Sequence, residues 1–550
     1  MRRVADLCPL RTERHAILWL LMVLTLTWPT LANARQKQRP VLQGPKNVSV
    51  IAPDDFQSTL DAVRVQANRA DALAAQNNQK LALLTRTEAM ARLNRHVQRW
   101  LGQGTQAELA TLLQYQAEQL SVTVSLHLQR NPSDKGAARL AWEAVLWRKG
   151  LALDVAAGAR TWQVPTLGAV QAALPTGAAL LEFVRYVPTS ADGVVAAPRY
   201  AGYVLRPTGL AVGVDLGDAA TLESAIAEFR AALLSPTRED ARAYSAALSA
   251  LLLAPLRPYL HDAAHWLIAP DAALTLVPFA ALSEPDGRWV LEKRTVTLVN
   301  SGRELVRPRG PPPPWADAWV IADPDLEQSA DKPAQVELPR ASTAADFVAL
   351  HFAPMQGAAE EADAIAPLLR ARSLLGTRAT ESAMRLLHAP RILHVAVPAF
   401  FLPTVPTTPE SAESVLLRSG LALAGFHTGR SGTDDGVLTA LDVLPLHLQG
   451  TQLIVLSGCN SADIAAGPSV RGLRRAFAIA GAESVVMNLW CADNQATRAL
   501  LTSFYGKLSG GEGRSEALRR AQLELLAQGR TKKPFYWAAF QVAGDWRPLR

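Results

Sequence analysis

Residues Leu453–Gly467 read LIVLSGCNSADIAAG. Four apolar residues run into a Ser-Gly-Cys turn and then into a small polar segment. A short apolar run closed by a turn predicts a buried strand. Cys459 then stands just past the strand's carboxyl end, where α/β sheets carry their functional groups. A thiol placed there is a candidate nucleophile, and a nucleophilic thiol needs a base.

The flanking sequence keeps the same rhythm. RILHVAVPAFF (391–401) and AESVVMNLWC (482–491) read as strands, and FYWAAFQVAG (535–544) closes the series. EEADAIAPLLRA, VRGLRRAFAIAG, NQATRALLTSFYGKL and RSEALRRAQLELLAQ have helical spacing. Strands alternating with helices predict an α/β fold, a mostly parallel sheet with helices on both faces. Upstream, AALLEFVRYV (178–187) and RYAGYVLRPTGLAVGVDL (199–216) read as strands, with helices at 219–235 and 239–260. HWLIAPDAALTLVPFAALSE (265–284) predicts a strand, a turn and a second strand. Pro311–Pro314 form a stiff connector, which divides the α/β part into segments 178–310 and 316–550. Residues 402–436 are mostly loop around a short apolar GLALAG, either a lid over the Cys459 turn or a tolerated insertion.

Before these strands, residues 56–160 are rich in Ala, Leu, Arg and Gln, with apolar residues three and four apart. They predict antiparallel helices, with no clean 34-residue period, so any tetratricopeptide character is degenerate. Residues 35–55 are polar and read as a mobile lead.

The chain has 550 residues, long enough for two to four domains, with 49% hydrophobic and 19% charged residues. At the N-terminus, Arg2, Arg3, Arg11 and Arg14 precede an apolar run that ends at Trp28, and Leu31-Ala32-Asn33-Ala34 fits a signal-peptidase site. The run is about 13 residues, short of the roughly 20 that span a bilayer. Residues 1–34 are therefore expected to be a signal peptide, removed on export to a bacterial periplasm or beyond, with no integral span left. An uncleaved anchor is the competing reading. The net charge of +7 drops to +5 on removal, and its Arg residues are scattered rather than clustered, which argues against nucleic acid as a partner. Only Cys459 and Cys491 remain, too few for a disulfide scaffold or a Cys-rich zinc site, and no cofactor or metal motif is present.

Several of these segments, taken in order, resemble the CHAT domain family, a caspase-like family in the clan of cysteine peptidases that includes separase and gingipain. IAPDAALTLVPFAAL is similar to its Pro-Asp-Gly-x-Leu-x-x-Val-Pro-Phe segment, with Ala272 in the Gly place. SGRELVR is similar to its Ser-x-Arg-x-Leu turn, and VIADPD follows. LSGCNSA resembles the stretch around the family's catalytic Cys, RGLRRAFAIAGAESVVMNLW the helix and strand after it, and PFYWAAFQVAGDW the closing motif. EAVLWRKGLALD is similar to what precedes the domain in family members. The resemblance implies a caspase-like sheet and a Cys–His dyad that cleaves peptides. It assigns the nucleophile position to Cys459 and the base to the last His of a His-x-Ala-Thr-His-Gly string.

Here that string reads His394-Val395-Ala396-Val397-Pro398-Ala399. The base position is Pro398 and the following Gly is Ala399. Proline carries no proton and has no amide hydrogen. Without a base, a thiol near pKa 8.5 is only a few per cent thiolate at neutral pH. His394 lies four residues earlier, about 13 Å along a strand, and is expected to bond inside the sheet. His427, in the overhanging loop, is either a substitute base or a solvated residue; His388 and His447 read as ordinary helix or loop residues. Asp434, Asp435 and Asp442 are either an acidic substrate rim or turn and cap carboxylates. Cys459 and Cys491 end consecutive strands, so they either form a disulfide or stay as two thiols. Three readings stand: a secreted pseudopeptidase that binds a protein or peptide, an active endopeptidase with a rearranged base, and a helical scaffold with a structural α/β domain.

Overall fold

The computed structural model describes residues 53–156, 165–188, 196–307, 317–328, 350–402, 416–428, 435–458 and 467–550. Residues 1–34, expected to be a signal peptide, most of the polar lead and the proline run at 311–314 lie outside them. The helical region starts at Pro53, three residues before the expected boundary: proline suits a first helical turn, where its missing N–H costs nothing. Its helices are α1 (Pro53–Ala75), α2 (Gln79–Leu101), α3 (Gln106–Ser125), α4 (Lys135–Arg148) and the short α5 (Leu151–Ala156). Thr105 and Glu108 form a capping box at the start of α3, and Asp134 caps α4.

Among the described residues, eleven strands form one sheet. In chain order they are β1 (Ala178–Tyr186), β2 (Arg199–Leu205), β3 (Val212–Asp218), β4 (His265–Ala269), β5 (Thr295–Leu298), β6 (Ala318–Pro324), β7 (Arg372–Gly376), β8 (Ile392–Ala396), β12 (Leu453–Leu456), β13 (Ser484–Asn488) and β14 (Phe540–Gly544). Between β8 and β12 the chain makes a second, three-stranded sheet of β9 (Ala399–Phe401), β10 (Ser419–Ala422) and β11 (Val437–Thr439). The large sheet runs β3-β2-β1-β4-β5-β14-β13-β12-β8-β6-β7. It is mostly parallel, as expected. The exceptions are the β1–β2 and β2–β3 ladders at one end and the β13–β14 pair in the middle. Through β14 the two segments split by the proline connector share one sheet.

The alternation of β1 shows how the faces are used. Ala179, Leu181 and Phe183 enter one core with helices α6 (Ala219–Leu233) and α7 (Ala241–Leu252). Leu180, Val184 and Tyr186 enter a second core built from α1 to α4, including Trp100 and Trp142. The period-2 pattern thus carries apolar residues to both sides, and the helical region is the cover of one sheet face. In the other half, β12 and β13 are buried at every position, as parallel strands sandwiched between helices should be. Helices α8 (Ala358–Leu369), α9 (Gly467–Ala480), α10 (Asn494–Ser509) and α11 (Arg514–Ala527) provide that cover.

Two expected strands come out differently. The second strand of 265–284 is replaced by tight helical turns at Ala272–Leu276 and Phe279–Ala281. Leu274, Val277 and Phe279 are buried there without a ladder, and Pro278 could not have donated to one. The run 391–401 breaks after Ala396 into β8 and β9, which belong to different sheets, and Pro398 sits in the break.

The helical region is held to the sheet by buried charge. Lys149, at the end of α4, donates from Nζ to the carbonyls of Phe183 (2.8 Å) and Ala269 (2.6 Å) and lies 3.5 Å from Glu182 Oε1. Glu182 is fully buried in β1, and its Oε2 accepts from the Gly302 amide at 2.9 Å. Gly150, next to Lys149, has φ +83°, and a Cβ there would stand 3.1 Å from the Arg303 guanidinium. Only glycine takes that conformation without strain.

Replacing Lys149 by Met should cost about 3–5 kcal/mol in denaturant unfolding, because it leaves the Glu182 carboxylate buried and unpaired. Lys149→Met with Glu182→Leu should recover much of that loss. The same interface should weaken in acid. His127, tilted against Tyr203 with Nδ1 3.3 Å from its hydroxyl, is pushed down to about 4 by burial, and His265 in β4 likewise. In the unfolded chain both titrate near 6.5, so that state binds more protons between those values. Their contribution should be complete above about pH 6.5 and fall toward pH 4. Urea midpoints measured across that range should decline, and His127→Phe should flatten part of the decline.

Candidate functional site

Strand β8 lies beside β12 in parallel, with Val395 opposite Leu456, and β12 lies beside β13 with Leu456 opposite Met487. Their three carboxyl ends therefore emerge together. The Ser457 amide donates to the Val395 carbonyl at 2.8 Å, which extends the β8 contact past the strand. Gly458 follows. A Cβ at Gly458 would stand 2.4 Å from the Val397 carbonyl oxygen and 3.2 Å from the Ala399 Cβ. The turn leading to Cys459 thus rests on the segment Val397-Pro398-Ala399, and only glycine allows that approach. Cys459 itself, with residues 459–466, lies outside the described residues, and so does the choice between a Cys459–Cys491 disulfide and two thiols. Cys491 is half-buried, three residues beyond β13.

Asn488, the last residue of β13, clamps the turn. Its Nδ2 donates to the carbonyls of Gly458 (2.7 Å) and Trp490 (3.0 Å). The Trp490 indole donates in turn to the Phe535 carbonyl at 3.0 Å. Pro398 is buried, and its carbonyl accepts from the Ala422 amide at 2.8 Å. The backbone at the base position is fixed from both sides, while its side chain is a pyrrolidine ring.

The remaining candidates are occupied. His394 is fully buried, with Nδ1 3.0 Å from the Tyr505 hydroxyl and Nε2 3.0 Å from Glu361 Oε1. It ties β8 to α10 and α8. Burial and the Glu361 charge push the Tyr505 phenol well above its usual value. His427 holds Glu327 Oε1 at 2.6 Å through Nδ1, and the Phe352 amide points at its Nε2 from 3.4 Å. With Nε2 accepting, Nδ1 carries the proton, and both nitrogens are used by residues from outside this loop. Asp442 forms a capping box with Thr439 at the short helix Ala440–Val443. Asp435 Oδ1 accepts from the Val437 amide at 2.9 Å, inside a turn that Glu381 also holds. Asp434 lies outside the described residues.

An acidic edge appears instead at the end of β6. The Asp323 carboxyl is raised by burial and by its neighbours Glu360 and Asp325. Glu360 also lines a hollow of about 460 Å³ with Gln356, Asn494 and Arg498, between the first turns of α8 and α10. Among the described residues no group of three His, Cys, Asp or Glu side chains is placed to hold a metal, and no helix is long and apolar enough to cross a membrane. Glu361, Glu381, Asn488 and Tyr505 were missed as site-supporting residues, since each has the sequence context of an ordinary strand or helix position.

A mostly parallel α/β sheet whose β8 and β12 ends meet beside Ser457 and Gly458 is a frame that carries its site at the strand ends. The CHAT domain profile matches residues 242–545, more than half of the chain, and the chain belongs to that family. Tetratricopeptide repeat protein 28 of Homo sapiens is 27% identical over 335 residues, covering 54% of this chain and 13% of that protein. Its Mus musculus counterpart is 25% identical over 332 residues, with the same coverage. The chain thus spans about an eighth of the length of these curated relatives. Two crystal structures of the Saccharomyces cerevisiae separase–securin complex align with 90% of this chain and 41% of theirs, at 8% and 7% identity and TM-scores of 0.40 and 0.42.

Replacing Asn488 by Leu should leave the Gly458 and Trp490 carbonyls buried without their donor. A loss of about 1–3 kcal/mol in denaturant unfolding is expected. Limited proteolysis should then cut first next to Gly458.

Proposed function

We propose that this protein is a secreted CHAT-domain pseudopeptidase, which binds a peptide segment of a partner and does not cut it. The observation that carries the reading is Pro398. It stands at the end of β8, against the Cys459 turn, where the family resemblance requires the proton-carrying His. Loss of general base and acid work costs roughly 10²–10⁴-fold in rate. Ala399 adds to the deficit: it keeps the amide that serves the oxyanion in caspase-like enzymes, but its Cβ crowds that position beside Gly458.

Binding does not need the dyad. The frame that would receive an extended peptide is intact: the β8 and β12 ends are in register, the turn is clamped by Asn488, and the acids Asp323 and Glu360 stand on the adjoining edge. The acids favour a segment with basic side chains. The curated relatives carry tetratricopeptide repeats in their name, and the helical region here is read as a degenerate version of such a partner-binding array. Export rests on the charge and apolar pattern of residues 1–34, and the mature N-terminus from a bacterial host, read by mass spectrometry, tests it.

Purified mature protein should show no Cys459-dependent cleavage of a broad peptide library. Cleavage at a defined site that disappears in Cys459→Ala would overturn the reading in favour of an active peptidase with another base. The variant Pro398→His with Ala399→Gly should raise alkylation of Cys459 at pH 7 several-fold, because a neighbouring imidazole lowers the thiol's pKa. An unchanged rate would mean that the site has lost more than its base.

A further inference from the structure

Helix α9 presents Arg471, Arg474 and Arg475 on one stripe, three and four residues apart. Two of them are paired. Arg471 Nη1 lies 2.8 Å from Asp271 Oδ1. Arg475 binds Glu304 Oε1 at 2.6 Å and also holds Asp154. Arg474, between them, is 4% exposed, and its Nε and Nη2 are wholly buried without a hydrogen-bond partner. Arg148, at the end of α4, is half-buried close to Asp271 and Arg471 and makes no ion pair among the described residues.

The balance of charge in this cluster is uneven. Among the described residues, Arg148, Lys149, Arg303, Arg471, Arg474 and Arg475 face the four carboxylates Asp154, Glu182, Asp271 and Glu304. Burial lowers the Arg474 guanidinium to about 10, which still leaves it charged at neutral pH. An unpaired buried cation is costly, and arginine cannot escape by losing its proton. Arg471 and Arg148 are partly exposed, so the cluster is open to solvent on their side.

We propose that a divalent oxyanion of the phosphate class binds at Arg474, with Arg471 and Arg148 closing over it. Two excess cations match a doubly charged ligand, and guanidinium forks donate in pairs to its oxygens. The bound anion would fasten α4 to α9, the helix that begins eight residues after Cys459 in the chain, so occupancy would set how firmly that helix is held.

The test is thermal unfolding of the full mature chain in millimolar inorganic phosphate, against sodium chloride at matched ionic strength. Phosphate should give a saturable rise of a few degrees in Tm beyond chloride. Arg474→Met should abolish the rise, while its own Tm without phosphate equals or exceeds the parent's, since it removes an unpaired buried charge. Arg148→Met, at a half-buried position, should fold normally and weaken the phosphate response at least several-fold. Equal midpoints in phosphate and chloride would overturn the proposal, and so would a phosphate response retained in Arg474→Met. If Arg474→Met fails to fold, a response untouched by Arg148→Met overturns it equally.

Discussion

The contact on which the arrangement depends is the buried Lys149–Glu182 pair. Lys149 reaches from the helical region into the sheet and bonds to one carbonyl of β1 and one just at the end of β4, while Glu182 turns the same anchor toward Gly302. A buried pair of this kind adds little net stability over an apolar substitute. Its value lies in position. Only one placement of the helices satisfies a lysine and a glutamate that have both left water. Around it, Asp154, Asp271, Arg303, Glu304, Arg471 and Arg475 form a ring of further pairs drawn from segments more than 300 residues apart. The motif stretches WRKGLALD, APDAAL, SGRELVR and RGLRRAF each supply members of that ring. What looks in the sequence like scattered motifs is one electrostatic joint.

The site at the other group of strand ends combines a kept frame with a missing side chain. Gly458 still packs against the backbone of Val397, and Asn488 still holds the turn. These interactions use backbone carbonyls, a glycine and one amide, so they are indifferent to whether residue 398 can carry a proton. The first histidine of the string survives because it does something else: His394 bridges Tyr505 and Glu361 across two helices. Structural and chemical demands on the same strand have separated, and the structural ones persist.

The main architecture was legible because its signals are periodic. Alternating buried strands and amphipathic helices set the class, the adjacency of β12 and β13 followed from their order in the chain, and that of β8 and β12 was implied by the family resemblance. The failures have local causes. Residues 272–281 have strand-like hydrophobicity, yet Ala272 takes φ +46° and Pro278 lacks a donor, so burial is met by turns. The reversal at β14 left no trace, since a buried strand reads the same in either direction. At the site, Pro398 was readable from one position in one string. The partners of His427, Asp435 and Asp442 were not, because each depends on chain brought in from elsewhere or on which of two local bonds wins.

The placement of β14 governs when this sheet can close. Phe540–Gly544 occupies its centre, between β5 and β13, which lie earlier in the chain. Until those residues emerge from the ribosome, β5 and β13 each present an unpaired edge, and the two halves have no hydrogen-bonded link through the sheet. Loop-closure entropy must be met before such long-range pairing returns anything, so assembly is a late and slow step. Through that interval the nascent chain carries two sticky edges of the kind that recruit chaperones or neighbouring chains.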